Sequence, residues 1–403
     1  MEVLRYIVIA VLAISFLTFV ALFGQLPALR KTPIGWLQRI LCIRFPNGLK
    51  RIDNSLTGGQ ITSRSQRLGN YLFYEKNPVV LILFLTLLTG SATLFLWNTV
   101  HRLPTRLLVP VPVVLALPYI FTYLCVTDKA HYITPSNHTA RMQDFPYDHI
   151  LFRPNTACRT CDLVKPARSK HCSLCGVCVA QCDHHCPWIN NCVGKGNYRY
   201  FLALLLTLGI LQIYGAYLSW WLLSPYFNIN PLNPLFSKAR LNDIGHAFVV
   251  AVNRGGLSIA GVGLLAACTP CLPLGLLAYH CYLIWAGMTT NESQKWADWR
   301  DDMMDGFVFR ARREDLRAHN RLRKSRDYGH GNNNPALDAS EDAEHENKIQ
   351  WSISSDCIFV RTRDGRPPQG QEALGTRVWN LDDVDNIYDL GGLQNLVEIL
   401  HGR

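Results

Sequence analysis

Between Cys158 and Cys192 the chain concentrates eight of its 14 cysteines, and three histidines and two aspartates are set among them. The segment reads Cys158-x2-Cys161, nine residues, His171-Cys172-x2-Cys175-x2-Cys178, then Asp183-His184-His185-Cys186-Pro187-Trp188 and finally Asn191-Cys192. Two CxxC pairs interleaved with imidazoles form a donor set for zinc, because soft thiolates and histidine nitrogens at these spacings close tetrahedral sites. A short irregular segment without its own core draws folding energy from such a metal. Eight ligands fill two sites, yet the segment holds more thiols and imidazoles than that. Asp183-His184-His185-Cys186 sets an acid, two imidazoles and a thiol side by side, which is what nucleophilic catalysis needs. The thiolate is the nucleophile, a neighbouring imidazole takes its proton, and a carboxylate orients the imidazolium.

On these residues the chain resembles the DHHC-type protein S-acyltransferases, also called palmitoyltransferases. The resemblance implies two interleaved structural zinc ions, one held by Cys158, Cys161, His171 and Cys178, the other by Cys172, Cys175, His185 and Cys192. Cys182 and Cys186 are then left over, and only Cys186 adjoins a base. Cys186 is the expected nucleophile, His184 its base and Asp183 the orienting acid, with Cys182 a small buried filler or a secondary acceptor. Pro187 fixes the backbone just after the nucleophile. Asn191, Gly194, Asn197 and Phe201 continue the family pattern, and Gly194 and Asn197 read equally well as turn residues leading into a helix.

These residues must be positioned by a membrane protein. Uncharged runs of spanning length occur at 6–29, 77–100, 107–127 and 201–223, and a longer one at 255–290 is interrupted by Pro270 and Pro273. We read that last run as one span, and the first as an uncleaved anchor. The expected fold class is an all-α polytopic membrane protein of about five transmembrane helices carrying an irregular, partly β double-zinc module. Four spans are common in the family, so residues 6–29 are the additional one. The domains expected are 1–127 with spans one to three and a cytosolic loop 30–76, the cysteine-rich module 128–200, spans four and five in 201–290, and a tail 291–403. Orientation follows from redox chemistry, since the segment's eight thiols, six of them expected zinc ligands, must stay reduced, which puts the module on the cytosolic face.

The tail opens with Thr289-Thr290-Asn291-Glu292, which matches the family's Thr-Thr-x-Glu element. The resemblance implies that it packs beneath the active site with a threonine hydroxyl on the catalytic aspartate, whereas by residue type it is equally a helix cap. Otherwise the tail is charged and mostly without hydrophobic periodicity. Eight Arg or Lys residues between Arg310 and Arg326 form a solvated face toward anionic lipid or the phosphates of coenzyme A, and with a formal charge of +10 they need no nucleic-acid partner. Residues 329–347 read as a disordered linker and 351–360 as a strand. Asn386-Ile387-Tyr388-Asp389-Leu390-Gly391 resembles the carboxy-terminal element of fungal members, where Tyr388 would anchor the tail on the membrane domain.

The function expected is transfer of a fatty acyl group from acyl-coenzyme A, typically palmitoyl-coenzyme A, through a Cys186 thioester to a membrane-proximal protein cysteine. The likeness to the fungal SWF subfamily implies the endoplasmic reticulum membrane and SNARE-type substrates. A membrane-tethered zinc scaffold without catalysis is the alternative, and it would carry no thioester. An ion channel or transporter would need ionisable groups inside the spans, where only His280 stands apart from thiols and phenols.

Overall fold

The computed structural model describes residues 16–17, 20–21, 31–227, 234, 237–312, 314–319, 321, 357–368 and 370–402. The expected first span apart from residues 16–17 and 20–21, the linker 329–347 and the start of the strand expected at 351–360 therefore lie outside the described residues. Residues up to 77 and from 78 onward form two compact units.

The first unit holds α1 (Pro33–Arg39), a five-residue π turn (Ile40–Arg44), α2 (Phe45–Thr57) and α3 (Gln60–Tyr74). α2 and α3 form a hairpin. Gly58 and Gly59 turn it with φ of +68° and +85°, conformations that a Cβ disfavours.

In the second unit, four segments among the described residues are long and apolar enough to cross a bilayer: Val79–Thr99, Thr105–Thr127, Tyr198–Tyr226 and Leu257–Trp285. They are built on α4 (Val79–Thr99), α5 (Val111–Thr127), α6 (Tyr198–Leu223), α8 (Leu257–Cys268) and α9 (Cys271–Trp285), with α7 (Lys238–Gly255) leading into the last. The long run 255–290 is one candidate span, as read from the sequence. It is interrupted where Pro270 cannot donate to the ladder, so α8 stops at Cys268 and α9 restarts beyond the proline.

Between α5 and α6 the chain makes only short strands. β1 (Tyr132–Ile133), β2 (Lys170–Cys172) and β3 (Val177–Val179) form an antiparallel sheet in the order β1-β3-β2. β4 (His184–Cys186) and β5 (Asn191–Val193) form a separate hairpin. A core of Cys125, Cys186, Ile189, Val193, Tyr198, Phe201 and Ile284 joins this hairpin to the ends of α5, α6 and α9.

The tail is more ordered than its composition suggests. α10 (Thr290–Met304) is followed by a sheet of β6 (Val308–Arg312), β7 (Cys357–Arg361) and β8 (Thr376–Arg377), and by α11 (Gly392–His401). Trp299, Met303, Val308, Phe359 and Val378 make its core. Arg310 and Arg312, read from the sequence as part of a solvated basic face, lie in β6, where Arg310 is half-buried and Arg312 exposed. The tail reads as aperiodic because its buried positions are spread over strands of two to five residues, too short to show a period.

Candidate active site

β-Strand alternation separates the expected metal ligands from the expected reactive groups, since successive side chains point to opposite faces. In the β4/β5 hairpin His185 is opposite Cys192, so these two share a face, while His184 and Cys186 share the other. β2 and β3 repeat the device. His171 is opposite Cys178, and Cys172, the next residue along, faces away from them.

The resulting clusters are the two sets named above: Cys158, Cys161, His171 and Cys178, and Cys172, Cys175, His185 and Cys192, with each set's ligand atoms mutually within 4.8 Å. Tetrahedral zinc, with Zn–S near 2.3 Å and Zn–N near 2.0–2.1 Å, sets its donors about 3.5–3.8 Å apart. His171 Nδ1 lies 3.5, 3.4 and 3.9 Å from the sulfurs of Cys158, Cys161 and Cys178. His185 Nδ1 lies 3.7, 3.5 and 3.7 Å from those of Cys172, Cys175 and Cys192. All 14 cysteines are free thiols, so both donor sets fit zinc. Cys182 belongs to neither set and packs with Val179 and Cys192 in a buried cluster.

On the other face of β4, His184 Nδ1 is 2.6 Å from Asp183 Oδ2, and Asp183 is fully buried. Burial alone would push the His184 imidazole down, but the Asp183 carboxylate and the Cys186 sulfur outweigh it and carry its pKa up to about 10. The arrangement therefore favours an imidazolium beside the Asp183 carboxylate. Asp183 stays below the ordinary carboxylate range, since His184 and other partners overcome the opposing effect of its burial. Phe201 packs its ring edge-on to His184, with centroids 5.5 Å apart.

Two side chains that the sequence did not mark as active complete the surroundings of Asp183. His280 from α9 stacks on His184 at 5.6 Å and comes within 3.9 Å of Asp183 Oδ2. Its Nδ1 is 2.7 Å from the hydroxyl of Tyr198, at the start of α6, which also faces Asp183. His280 stood out as the one ionisable group in an apolar run, and that signal could have found it. Tyr198 gave none.

Thr289 and Glu292 form a capping box at the start of α10: Thr289 Oγ1 accepts from the Glu292 amide, and Glu292 Oε2 accepts from the Thr289 amide at 2.9 Å. Thr289 Oγ1 also lies 3.2 Å from the Cys182 carbonyl. The threonine hydroxyl expected on the aspartate is not what reaches it. The main-chain N–H of Thr290 donates to Asp183 Oδ1 at 2.8 Å, because a first-turn amide has no partner within its helix and points at the anion. The Thr290 hydroxyl is buried without a hydrogen bond among the described residues. Glu292 also holds Arg168, whose Nε and Nη2 each donate at 2.7 Å to one of its carboxylate oxygens, both side chains being buried. Sequence reading missed Arg168, since between Lys165 and Lys170 it looks like one more surface cation.

Asn197 carries out the turn reading: its Oδ1 accepts from the Gly194 amide and its Nδ2 donates to the Cys192 carbonyl, fixing β5 to the start of α6. At Gly194 a Cβ would come within 2.8 Å of the Ala180 carbonyl oxygen, so close packing excludes any larger residue. Asn191 donates to the carbonyls of Cys125 and Asp128, tying the hairpin to the end of α5. Tyr388 is buried, but its partners are in the cysteine-rich module rather than the membrane helices as expected. Its hydroxyl donates to the Pro146 carbonyl, and its ring packs against Phe145 and Phe152 beneath the Arg168 guanidinium. Asn386 and Asn395 reach the end of α9 instead, donating to the carbonyls of Ala286 and Trp285.

Between the helices lies an apolar cavity of about 440 Å³, lined from α4, α5, α6, α8 and α9 by residues such as Phe95, Val114, Leu211 and Leu265. Trp188 is its one lining residue from the cysteine-rich module, two residues beyond Cys186, and packs edge-on to Phe84.

Residues 152–297 match the family model described as DHHC palmitoyltransferase. Across 99% of this chain and 97% of its counterpart, the sequence is 39% identical to palmitoyltransferase swf1 of Emericella nidulans. It is 38% identical to palmitoyltransferase SWF1 of Neurospora crassa over 99% and 92% of the two chains. With palmitoyltransferase ZDHHC4 of Mus musculus it shares 32% identity over 60% and 76%.

Proposed function

Since the chain belongs to the DHHC palmitoyltransferase family, in its SWF branch, and is a multi-pass membrane protein S-palmitoyltransferase, we propose that Cys186 is its nucleophile, His184 its acid-base group and Asp183 the orienting carboxylate. The observation that carries this reading is the shared face of His184 and Cys186 on β4, with Asp183 2.6 Å from the imidazole. The Cys186 thiolate attacks the acyl carbonyl of palmitoyl-coenzyme A, forming a C–S bond. As the tetrahedral intermediate collapses, the coenzyme A sulfur leaves with the proton of the His184 imidazolium. The now neutral His184 takes the proton of an incoming protein thiol, whose sulfur attacks the Cys186 thioester. Cys186 departs as the thiolate, and the imidazolium is restored. Atoms and charges balance over the cycle.

Asp183 acts through His184, and it is itself held by the Thr290 amide and the Tyr198–His280 pair. The two Cys/His clusters would bind structural zinc, which when bound fixes the fold of the module. The apolar cavity beside Trp188 suits the acyl chain, each buried CH2 contributing about 0.8 kcal/mol. The need to keep eight thiols reduced supports an active site on the cytosolic face. Membrane-proximal cysteines, including those of SNARE-type proteins, are the proposed acceptors, and the endoplasmic reticulum the proposed membrane. The domain division proposed is a membrane part interrupted by the module 128–200 and closed by the tail 291–403. Incubation of purified protein with labelled palmitoyl-coenzyme A tests the central step. A hydroxylamine-sensitive label on Cys186 is expected, and an unlabelled, zinc-loaded protein would leave only the scaffold reading.

A further inference from the structure

The hairpin of the first unit leaves an apolar face uncovered. Along α2, Phe45, Leu49, Ile52 and Leu56 are 60%, 51%, 56% and 78% exposed. At 3.6 residues per turn they fall within about 60° of one another around the helix, while Lys50, Arg51 and Asn54 take the opposite side. Ile61 and Leu68 on α3, seven residues apart and so on one face, are exposed at 60% and 58%. Scattered exposed leucines are ordinary, but a stripe of this regularity on a helix is not.

Charge indicates what would cover it. Residues 33–74 carry six cations, Arg39, Arg44, Lys50, Arg51, Arg64 and Arg67, against one acid. That acid, Asp53, is buried inside the hairpin, where it accepts from the Thr57 hydroxyl and from the amides of Ile61 and Thr62. The exposed charge is therefore wholly positive. A helix with an apolar stripe and cations elsewhere suits a surface that is apolar within and anionic at its edge, which is a leaflet bearing acidic phospholipid. At 13 residues α2 is about 20 Å long, too short to cross the apolar layer, so it lies along that layer. The chain connectivity agrees. Only residues 75–78 separate α3 from the apolar span Val79–Thr99, and four residues reach at most about 14 Å.

We infer that residues 33–74 form an interfacial anchor, with the Phe45, Leu49, Ile52 and Leu56 stripe embedded at headgroup depth and the cations bound to acidic phospholipid. The anchor rests on the membrane nature of the chain and not on its catalysis, so it stands or falls independently of the acyl-enzyme.

The test uses the full chain in vesicles, with a fluorescent noncanonical amino acid at exposed Leu56 in one variant and at Asn54, across the helix, in another. Doxyl-labelled lipid and aqueous iodide are the two quenchers, in phosphatidylcholine with and without phosphatidylserine. The expected result is quenching of the Leu56 probe by doxyl lipid and protection from iodide, the reverse for Asn54, and stronger protection with phosphatidylserine. Lys50→Glu with Arg51→Glu should weaken partition of the embedded form by about fivefold for each cation lost. Equal iodide quenching at both positions would mean a solvated hairpin and would overturn the inference. A Leu56 probe shielded from both quenchers would overturn it in favour of a protein partner. Doxyl quenching indifferent to phosphatidylserine and to the charge reversals would overturn the acidic-lipid assignment.

Discussion

The cysteine-rich segment and the tail hold the same aspartate by opposite means. From Lys170 to Val193 each side chain is assigned by type and parity: His185 and Cys192 to one face, His184 and Cys186 to the other. From Thr289 onward the groups that matter are a main-chain amide, a capping glutamate and a tyrosine whose partner is the Pro146 carbonyl. Where a bound metal would fix geometry, side-chain chemistry carries the information. Where packing fixes it, the contacts are long-range, and residue type says little.

Cys186→Ser probes that contrast with the largest effect, because serine keeps the shape of the side chain but not its nucleophilicity. Acyl-enzyme formation and transfer should both vanish, while metal analysis still finds about two zinc ions per chain. A missing zinc would make Cys186 a ligand and undo the division by faces. His185→Ala and Cys172→Ala should do the reverse, lowering zinc content and thermal stability together, since each removes a donor from a cluster whose metal supplies folding energy. Unchanged zinc and unchanged melting would contradict the ligand sets.

His184→Ala separates base from ligand. The variant should keep its zinc and load acyl groups about 10²-fold more slowly or worse at neutral pH. With the imidazolium persisting to about 10, the wild type should load at a nearly constant rate through mildly alkaline pH. A lone thiol gains its thiolate as pH rises through about 8.5, so the variant should recover there. Flat inactivity at every pH in a folded, metallated variant would move His184 to leaving-group protonation alone.

Arg168→Met tests the tail half of the comparison, because it strands the buried Glu292 carboxylate. We expect about 3–5 kcal/mol of lost stability in chemical denaturation, with zinc content retained until unfolding. The double change Arg168→Met, Glu292→Gln should recover part of that loss. The smallest effect is expected from Tyr198→Phe, which removes one hydroxyl beside Asp183. About a tenfold fall in single-turnover loading rate, with half-saturation by palmitoyl-coenzyme A unchanged, would mark a positioning role. Equal changes in both would point to general loosening of the fold.

How far the sequence could be read follows from the same contrast. The grouping of cysteines and histidines into two clusters followed from the family resemblance, while the Asp-His-His-Cys run and four of the five expected apolar spans were legible as residue type at short spacing or as unbroken apolar length. The roles of Arg168, Tyr198 and Tyr388 were not, since each is defined by a partner far along the chain: Glu292, His280 and Pro146. The Thr-Thr-x-Glu element was legible as a cap and as a neighbour of the active site, but not in its atoms. Nothing in a threonine announces that its amide, rather than its hydroxyl, will meet the carboxylate. Of the tail sheet, β7 was anticipated within 351–360, but its partners β6 and β8 were hidden by being too short to declare a period, with 44 residues separating Arg312 from Cys357.

The adjacency of His184 and His185 has a further consequence. In a hairpin whose strands are three residues long, a slip of one position exchanges the two faces, and two identical neighbours would give no steric sign of the error. Only the nitrogen that completes a tetrahedral set with Cys172, Cys175 and Cys192 tells them apart. A bound metal would thus act as a reading-frame lock: by claiming one histidine it would leave its twin facing the thiol. A protein that bound zinc in the shifted frame would be metallated, folded and silent.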